Sequence, residues 1–278
     1  MEVSILVSTI DKGIYNVEQV LLPAQEGVSY VVSHQFTDEK HKALPRGLIK
    51  RADVAISQIP GKGLSRNRNN AISLANGDIA LVADDDIRYL PGAIERICQI
   101  FKDNPGLDVA CFKITHGEGK PEHKKYPTKP LMLTKHKHHY ISSVEIAFRI
   151  HPVKSKNICF DERFGLGSDF LPDGEELVFI KDCIRANLKT MFFPVCIVYH
   201  PFEPWPPGSS QYTHVRNRVR GAYHARVLGW KAIPVALFEL VVKMPKIMKN
   251  ERNPFGFAIE RFKAIHYIFK TNQKQPRP

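Results

Sequence analysis

The amino-acid sequence predicts an α/β fold with a mainly parallel sheet, followed by a basic helical extension. Strand-like and helix-like runs alternate through the first half of the 278-residue chain, which is typical of βαβ units with right-handed crossovers. The charge is uneven: residues 211–278 hold 14 Lys and Arg against 3 Asp and Glu, whereas residues 1–210 hold 26 against 25. We therefore predict a main domain over residues 1–207 and a basic amphipathic extension over residues 208–278.

Short apolar runs rich in β-branched residues predict the strands of this sheet. They cover residues 3–10, 28–35, 53–59, 78–83, 108–114 and 191–199. Two amphipathic helices are predicted between them. Residues 65–76 follow a glycine-rich loop, and residues 91–104 carry apolar side chains at i, i+3, i+4 and i+7. Ligands of such sheets bind at the carboxyl ends of the strands, so we expect the functional residues there.

Cysteine usage and hydropathy narrow the class of protein. The five cysteines stand singly without a C-x-x-C pair, which indicates buried free thiols in a reducing compartment rather than disulfides or a zinc site. The longest apolar run, residues 232–242, contains Pro234 and Glu239 and is too short to cross a bilayer. The N-terminus lacks the pattern of a signal peptide. We expect a cytoplasmic protein.

Three consecutive carboxylates, Asp84, Asp85 and Asp86, follow the predicted strand 78–83 at its carboxyl end. Adjacent carboxylates raise one another's pKa unless a cation or hydrogen-bond donors compensate their charge. A hard divalent ion such as Mg²⁺ or Mn²⁺ takes oxygen ligands and commonly keeps positions open for substrate phosphates. The triplet therefore indicates metal-bridged phosphate, and its alternative is a solvated acidic turn.

The segment PGKGLSRNRNNAI, residues 60–72, leads into the helix predicted before the triplet. It lacks the spacing of a P-loop, which excludes a Walker-type NTPase. Its glycines open a helix whose first turn carries Arg66, so backbone N–H groups and a guanidinium are both available to an anion. The alternative is a polar turn that faces solvent.

Five segments in this order and at about this spacing resemble the family 2 glycosyltransferases with the GT-A fold: VSILVST, GKGLSRNRNNAI, GDIALVADDDI, FDERFGLGSDFLPDGEELVFIKDC and VYHP. The resemblance covers about residues 1–205. It implies a Rossmann-like sandwich that binds a nucleotide sugar, and inversion at the anomeric carbon by one catalytic carboxylate. It also implies Mn²⁺ or Mg²⁺ held by a D-x-D element.

The resemblance implies a role for each matching residue. Asp84 and Asp86 match the D-x-D pair, Asp86 is the expected direct metal ligand, and His200 matches a late metal-contacting histidine. Glu176 matches the catalytic base, with Glu175 beside it as the second candidate. The donor-binding candidates are Ser8, Thr9, His34, Arg66, Asp84 and Asp85. The chain has SHQFTD at residues 33–38 where the family usually has an acidic DDGS-like element; a UDP-sugar is favoured, and the nucleobase stays open.

Several of these residues also have structural interpretations. Asp173 and Glu176 fit a D-x-x-E capping box ahead of an apolar helical run. A lone histidine such as His200 is often a structural residue. The stretch 116–140 is rich in Lys, His, Gly and Pro and is predicted to be a mobile loop over the site, with its histidines 136, 138 and 139 solvated rather than bound to a soft metal.

The extension contains basic amphipathic stretches with aromatic residues, at 213–230 and 256–270. Such stretches are typical of attachment to an anionic membrane, and the alternative is a helical cap packed on the main domain with its arginines in water. We thus expect an inverting glycosyltransferase at the inner face of the cell membrane that acts on a saccharide or lipid-linked acceptor, as in surface-polysaccharide synthesis. The alternatives are a metal-dependent nucleotidyltransferase, which would not need Glu176, and a nucleic-acid-binding protein. No nucleic-acid partner is expected, because no zinc-finger or RNA-recognition signature is present.

Overall fold

The computed structural model describes residues 1–135, 140–201, 214–250 and 253–271. Within these ranges one nine-stranded sheet is formed by β1 (Val3–Ile10), β2 (Val28–Phe36), β3 (Val54–Pro60), β4 (Ile79–Asp84), β5 (Arg88–Tyr89), β6 (Val109–Thr115), β7 (Leu131–Met132), β8 (Ile146–Arg149) and β9 (Thr190–Tyr199). The α-helices are α1 (Arg46–Ile49), α2 (Leu64–Leu74), α3 (Ala93–Asp103), α4 (Ile150–Ser155), α5 (Glu175–Arg185), α6 (His214–Leu228), α7 (Ala232–Asn250) and α8 (Pro254–Thr271). The predicted α/β fold and helical extension are confirmed.

The sheet is mainly parallel, as predicted, and its short strands add antiparallel pairs. Its order is β3-β2-β1-β4-β8-β6-β9-β5, and β7 pairs with the side of β9. The pairs among β1, β2, β3 and β4 are parallel, as is β6 with β9. However, β8 runs antiparallel to both β4 and β6, and β5 and β7 run antiparallel to β9. The sequence patterns do not predict β5, β7 or β8, because runs of two to four residues carry no usable periodicity.

Alternation of side chains along the strands builds a core on each face of the sheet. In β1, Ile5 and Val7 pack into one apolar cluster and Leu6 packs into the other. Helix α3 buries its predicted apolar positions against the first cluster. The helix begins after Gly92, which adopts a left-handed conformation with φ of 68°, so Pro91 precedes the helix instead of lying in its first turn.

The described part of the stretch 116–140 is mostly exposed, but it is anchored to the main domain at Tyr126 and Lys124. Tyr126 is buried, and its hydroxyl donates to Glu145, which is wholly inaccessible to solvent. Lys124 pairs with the other oxygen of that carboxylate at 2.5 Å. These contacts satisfy a buried charge and hold the stretch in place. Its histidines 136, 138 and 139 lie outside the described residues.

All five cysteines are free thiols, as predicted, but not all are buried. Cys159 is exposed because its neighbours Ile158 and Phe160 both point into the core. In an extended segment the residue between two inward-facing ones faces solvent.

The helices α6, α7 and α8 pack on one another around small side chains, among them Ala222, Ala236 and Ala264. Arginines predicted to face a membrane or water are instead paired with acids. Arg220 pairs with Glu239, and Arg226 ties α6 to the main domain. The extension is therefore a packed cap, and its boundary at residue 207 lies outside the described residues. Among the helices described, none combines the length and the hydropathy that crossing a membrane would require.

Candidate active site

A cavity of about 570 Å³ opens at the carboxyl ends of β1, β2 and β4. It is lined by Ser8, Thr9, Ile10, Gln35, Thr37, Lys62, Gly63, Leu64, Asn67, Asp84, Asp85, Asp86, Leu166, Gly167 and His200. Parallel pairing of β1 with β4 sets Ser8 beside Asp84, so the end of one strand faces the triplet that ends the other. The fold thus brings together six of the predicted site residues at the sheet edge where ligands of such folds bind.

The three aspartates of the triplet have different partners. Asp84 accepts from a guanidinium nitrogen of Arg68 at 2.8 Å and from the Ser143 hydroxyl at 3.3 Å. Asp85 accepts a hydrogen bond from the Thr9 hydroxyl. An Oδ atom of Asp86 lies 3.5 Å from Nε2 of His200. All three carboxylates line the cavity, and an arginine neutralises that of Asp84.

The pKa of Asp85 is raised in this site. Burial, together with the charges of Asp86 and Asp84, raises its pKa to about 6, although the hydrogen bond from Thr9 acts in the opposite direction. The close packing depends on Gly13, because a Cβ at this position would come within 2.1 Å of an Asp85 oxygen. The fold thus holds several carboxylates close together, and a bound cation would lower the repulsion between them.

Asp86 and His200 fit a divalent metal. The Nδ1 of His200 lies 2.9 Å from the carbonyl of Pro201, which fixes the proton on Nδ1 and leaves the Nε2 lone pair on the side of Asp86. His116 donates from Nδ1 to the carbonyl of His200 and so holds the backbone of that residue. The Ser8 hydroxyl also lines the cavity, and it is buried without a hydrogen-bond partner among the residues described. Oxygen donors with one imidazole suit Mn²⁺ and Mg²⁺.

Arg68 is a site residue that the sequence analysis missed. It is buried, and while one guanidinium nitrogen contacts Asp84, the other lies 2.8 Å from Oε1 of Glu175. The signal was present, since Arg68, Ala71, Ile72 and Ala75 follow the i, i+3, i+4, i+7 spacing of the buried face of α2. A single guanidinium therefore joins the triplet to the glutamates at the start of α5.

Glu175 and Glu176 begin α5 and form an acidic cluster with Asp173, in which one carboxylate oxygen of each residue lies within 4.8 Å of one oxygen of each of the other two. Both glutamates are buried. Burial and the charges of Glu175 and Asp173 raise the pKa of Glu176 well above its ordinary value. The Tyr140 hydroxyl hydrogen bonds to Glu176. The cluster holds a carboxyl group poised to exchange a proton near neutral pH.

The capping-box interpretation of this segment is wrong. The residue that precedes α5 is Gly174, in a left-handed conformation with φ of 92°, and no side chain caps the helix. Asp173 accepts from the amide of Gly174, its immediate neighbour, because the turn at Gly174 places Asp173 too far back to reach the third helical amide.

The start of α2 meets the cavity through Lys62 and Gly63 rather than through Arg66. Gly63 has φ of 125° and touches Gly167, where a Cβ would come within 2.9 Å of the Gly63 nitrogen. Arg66 is exposed and folds back to donate to the carbonyl of Pro60 at 2.9 Å. Position 66 lies on the outer face of the helix, opposite Arg68, so Arg66 does not line the cavity, contrary to its predicted role.

His34 supports the site from behind. It is fully buried, accepts from Gln58 at 3.1 Å and lies 3.0 Å from the carbonyl of Asp11, and burial lowers its pKa. Its neighbour Gln35 points to the opposite face of β2 and lines the cavity instead. The side-chain nitrogen of Gln35 is buried and has no partner in the described part of the chain. His34 therefore lies behind the cavity and Gln35 lines it, because successive residues of a strand face opposite sides of the sheet.

Solved structures with the same architecture identify the fold. The structure superposes on Staphylococcus aureus TarS 1–349 in complex with UDP-GlcNAc with a TM-score of 0.58 and 12% identity, covering 99% of this chain and 92% of that one. TarS 1–349 in complex with UDP gives the same TM-score at 13% identity, covering 100% and 93%. At this level of identity the likeness establishes the fold, which is that of the GT-A glycosyltransferases.

The sequence itself matches the model of the glycosyl transferase family 2 over residues 39–158. A curated relative, uncharacterized protein MT1568 of Mycobacterium tuberculosis (strain CDC 1551 / Oshkosh), is 30% identical over 88 residues, which are 31% of this chain and 27% of that relative. The chain thus matches only about a quarter of the length of that relative. The chain is therefore similar to the family 2 glycosyltransferases over residues 39–158, and its fold is that of the GT-A enzymes.

Proposed function

We propose that the protein transfers a sugar, with inversion, from a UDP-sugar to a saccharide or lipid-linked acceptor in the synthesis of a surface polysaccharide. The observation that carries this proposal is the arrangement around Arg68. On one side of the guanidinium lies the cavity with its acidic triplet, and on the other lies a carboxyl group, Glu176, with a raised pKa. Glycosyl transfer needs both a place for an anionic leaving group and a base for the attacking hydroxyl.

The triplet and His200 would hold the leaving group's metal. We expect Asp86 and His200 to be direct ligands, and Asp84 to contribute through the oxygen that Arg68 does not hold. Bound Mn²⁺ or Mg²⁺ supplies neutralisation of the charge that develops on the nucleoside diphosphate. Lys62, at the start of α2, adds a cation to the same cavity.

Glu176 is the proposed base. In its ionised form it takes the proton of the acceptor hydroxyl while that oxygen forms a bond to the anomeric carbon and the bond to the diphosphate breaks. Glu175 and Asp173 raise the affinity of Glu176 for this proton, and the Tyr140 hydroxyl holds the carboxylate in place. Glu175 is committed to its ion pair with Arg68, which makes it the weaker candidate.

The nucleobase would lie at the end of the cavity lined by Gln35 and Thr37. An unpartnered buried amide is well suited to hydrogen bond with a base edge, because it gains a partner only when the ligand binds. Thr37 is fixed by Asp11, which accepts from both its amide at 2.7 Å and its hydroxyl at 2.8 Å. The structures of TarS with UDP-GlcNAc and UDP support a uridine nucleotide at the level of fold.

The proposal is tested by a screen of nucleotide sugars for metal-dependent hydrolysis without acceptor, read as release of free nucleotide. A UDP-sugar should be consumed in Mn²⁺ or Mg²⁺ and not in chelator, with UDP as product. Release of UMP would indicate a nucleotidyltransferase instead. Asp86→Asn should abolish the metal-dependent part of donor binding in calorimetry, and equal donor affinity of the wild type with and without chelator would contradict the metal site.

We also propose that the protein works in the cytoplasm as a peripheral protein of the inner face of the cell membrane. The net charge of +11 on residues 211–278 supports this location, because anionic lipids attract basic segments. A sugar acceptor carried by a lipid would be reached at that surface. Fractionation of cells that express the protein should recover it with membranes and release it in high salt.

A further inference from the structure

We propose that the outer face of α7 docks onto an anionic membrane and inserts its apolar side chains among the lipids. This inference deepens the membrane location proposed above. Its test measures membrane binding alone, so its failure is distinct from a failure of sugar transfer, which the nucleotide-release assay measures. The proposed membrane contact is thus the outer face of α7 and not the arginines that the sequence suggested.

The outer face of α7 carries exposed large apolar side chains: Ile233, Leu237, Phe238, Val241, Val242, Met244 and Met248. Trp230, in the turn just before α7, is also exposed and extends this stripe. Phe238 is 69% exposed and Val241 is 70% exposed, whereas aliphatic and aromatic side chains of a helix normally lie against the core. Phe255, 82% exposed, and Ile259 add a second apolar strip on α8. Monomeric soluble proteins rarely leave a contiguous patch of this kind in water.

The stripe is a second apolar face of α7, separate from the face that packs against the neighbouring helices. The opposite side of α7 buries Ala232, Ala236 and Leu240 against its neighbouring helices. Glu239 on this inner side is held by Arg220 and Arg261, which fixes the rotation of α7 about its axis. The helix cannot turn its outer face inward without breaking these pairs.

Charge favours a lipid surface over a second copy of the chain as the partner. Lys231 and Lys249 are exposed at the two ends of the stripe, and the segment that carries them has a net charge of +11. Two copies paired through this face would bring two such segments together, whereas an anionic bilayer has the opposite charge. The 19 residues of α7 extend about 28 Å, and an amphipathic helix of this size lies in the plane of the interface.

The docking face is connected to the acidic cluster. Arg220 of α6 pairs with Glu239 of α7, and Val219 of α6 touches Gly174, where a Cβ would come within 3.0 Å of a Val219 methyl carbon. Gly174 directly precedes Glu175 and Glu176. Helix α6 therefore links the helix that carries the docking face to the turn that precedes the proposed base.

The test is flotation of the full-length protein with vesicles of phosphatidylcholine alone or mixed with phosphatidylglycerol. We expect binding to the mixed vesicles only. The double variant Phe238→Ser/Val241→Ser should bind about tenfold or more weakly, because each removed side chain loses its transfer into lipid. The matched control is Ile49→Ser, which removes an exposed apolar side chain from α1 of the main domain and should bind like the wild type.

A second measurement reports insertion directly. In a Trp205→Phe background, Trp230 is the remaining tryptophan, and its fluorescence should shift to the blue and be quenched by brominated lipids. Circular dichroism and thermal unfolding verify that each variant is folded. Unchanged flotation of the folded double variant, absence of wild-type binding, or a loss of quenching at Trp230 would overturn the proposal. The proposal would also be overturned if light scattering showed that the wild type is a dimer and the double variant a monomer.

Discussion

The acidic cluster of the candidate site and the helical extension both bury glutamates, but the pKa values of these glutamates are shifted in opposite directions. At the site, Arg68 pairs with Glu175, and burial together with the charges of Glu175 and Asp173 raises the pKa of Glu176. In the extension, Glu239 alone has two arginines, Arg220 and Arg261. Burial acts to raise its pKa, but the hydrogen bonds from these arginines outweigh burial and lower it to about 2.

The same contrast holds where the two regions meet. Asp161 of the main domain accepts from Arg163 and from Arg226 of α6, and these bonds lower its pKa in spite of its burial. Asp161 and Glu239 are thus held ionised by arginines, whereas the pKa values of Asp85 and Glu176 at the site are raised. An unbalanced buried charge costs stability, so its retention at one place in the fold indicates a proton, a metal or a substrate that acts there.

The largest expected effect separates function from stability at Glu176. Glu176→Gln should lower turnover by about 10²–10⁴-fold, the usual contribution of a general base. It should not lower the melting temperature, because it removes a charge that Glu175 and Asp173 repel. Initial rates and thermal unfolding of the same preparations measure both quantities.

The raised pKa of Glu176 also predicts how the stability and the turnover of the wild type change with pH. A raised pKa means that the folded state holds the proton of Glu176 more tightly than the unfolded chain does. The free energy of unfolding therefore falls as the pH rises from the ordinary carboxyl range through the raised pKa, while turnover rises over the same interval. Normal turnover of Glu176→Gln, or turnover that does not rise with pH, would remove Glu176 from the mechanism and leave Asp169 and Asp173 to be tested.

Removal of the guanidinium that links the two parts of the site should be the most destabilising single change. Arg68→Ala leaves Asp84 and Glu175 without their shared partner, and breaking a buried pair in this way costs about 3–5 kcal/mol. Arg218→Ala is the matched control, since Arg218 pairs with Glu260 nearer to solvent and should cost about 1 kcal/mol or less. Denaturant titration measures both, and equal costs would contradict the difference between the two regions.

Glu239→Gln tests whether the compensated charges of the extension are structural. The change should lower the free energy of unfolding by about 2 kcal/mol, because two charge-assisted interactions are weakened, and should leave donor affinity unchanged. In the wild type, this stabilisation is present above the ordinary pKa of a glutamate and is lost as the pH falls toward about 2. Thermal unfolding between neutral and acidic pH measures the loss, which the Gln variant should not show.

The smallest effect concerns the triplet. The pKa of Asp85 is raised to about 6, so its ionisation lowers stability as the pH rises through that value. Asp85→Asn should therefore raise the free energy of unfolding above pH 6 by about 1 kcal/mol, after allowance for partial exposure to solvent. Below the ordinary pKa of an aspartate the two proteins should be alike. Added Mn²⁺ should stabilise the wild type more at neutral than at acidic pH, and stabilisation independent of pH would argue against a cation at the triplet.

Local patterns predicted the main strands of the sheet and the ends at which ligands collect. The predicted residues Ser8, Thr9, Asp84, Asp85, Asp86 and His200 all line one cavity. Prediction failed where the answer depended on which face a side chain takes or on a partner remote in the chain. Arg66 was chosen over Arg68, and His34 over Gln35, although the two members of each pair point to different sides of their element.

By itself, the sequence determined the alternation of strands and helices, the acidic triplet at a strand end, the glutamates that begin α5 and the basic character of the extension. These properties depend on hydrophobic periodicity and on the order of residues along the chain. The tertiary structure decided the antiparallel insertion of β8, the bridge from Asp84 through Arg68 to Glu175, and the pairing of the extension's arginines, which leaves an apolar face on α7. Such contacts join residues up to 107 positions apart. Their energies depend on burial and on the distances between charges, which follow only from the packing of the whole chain.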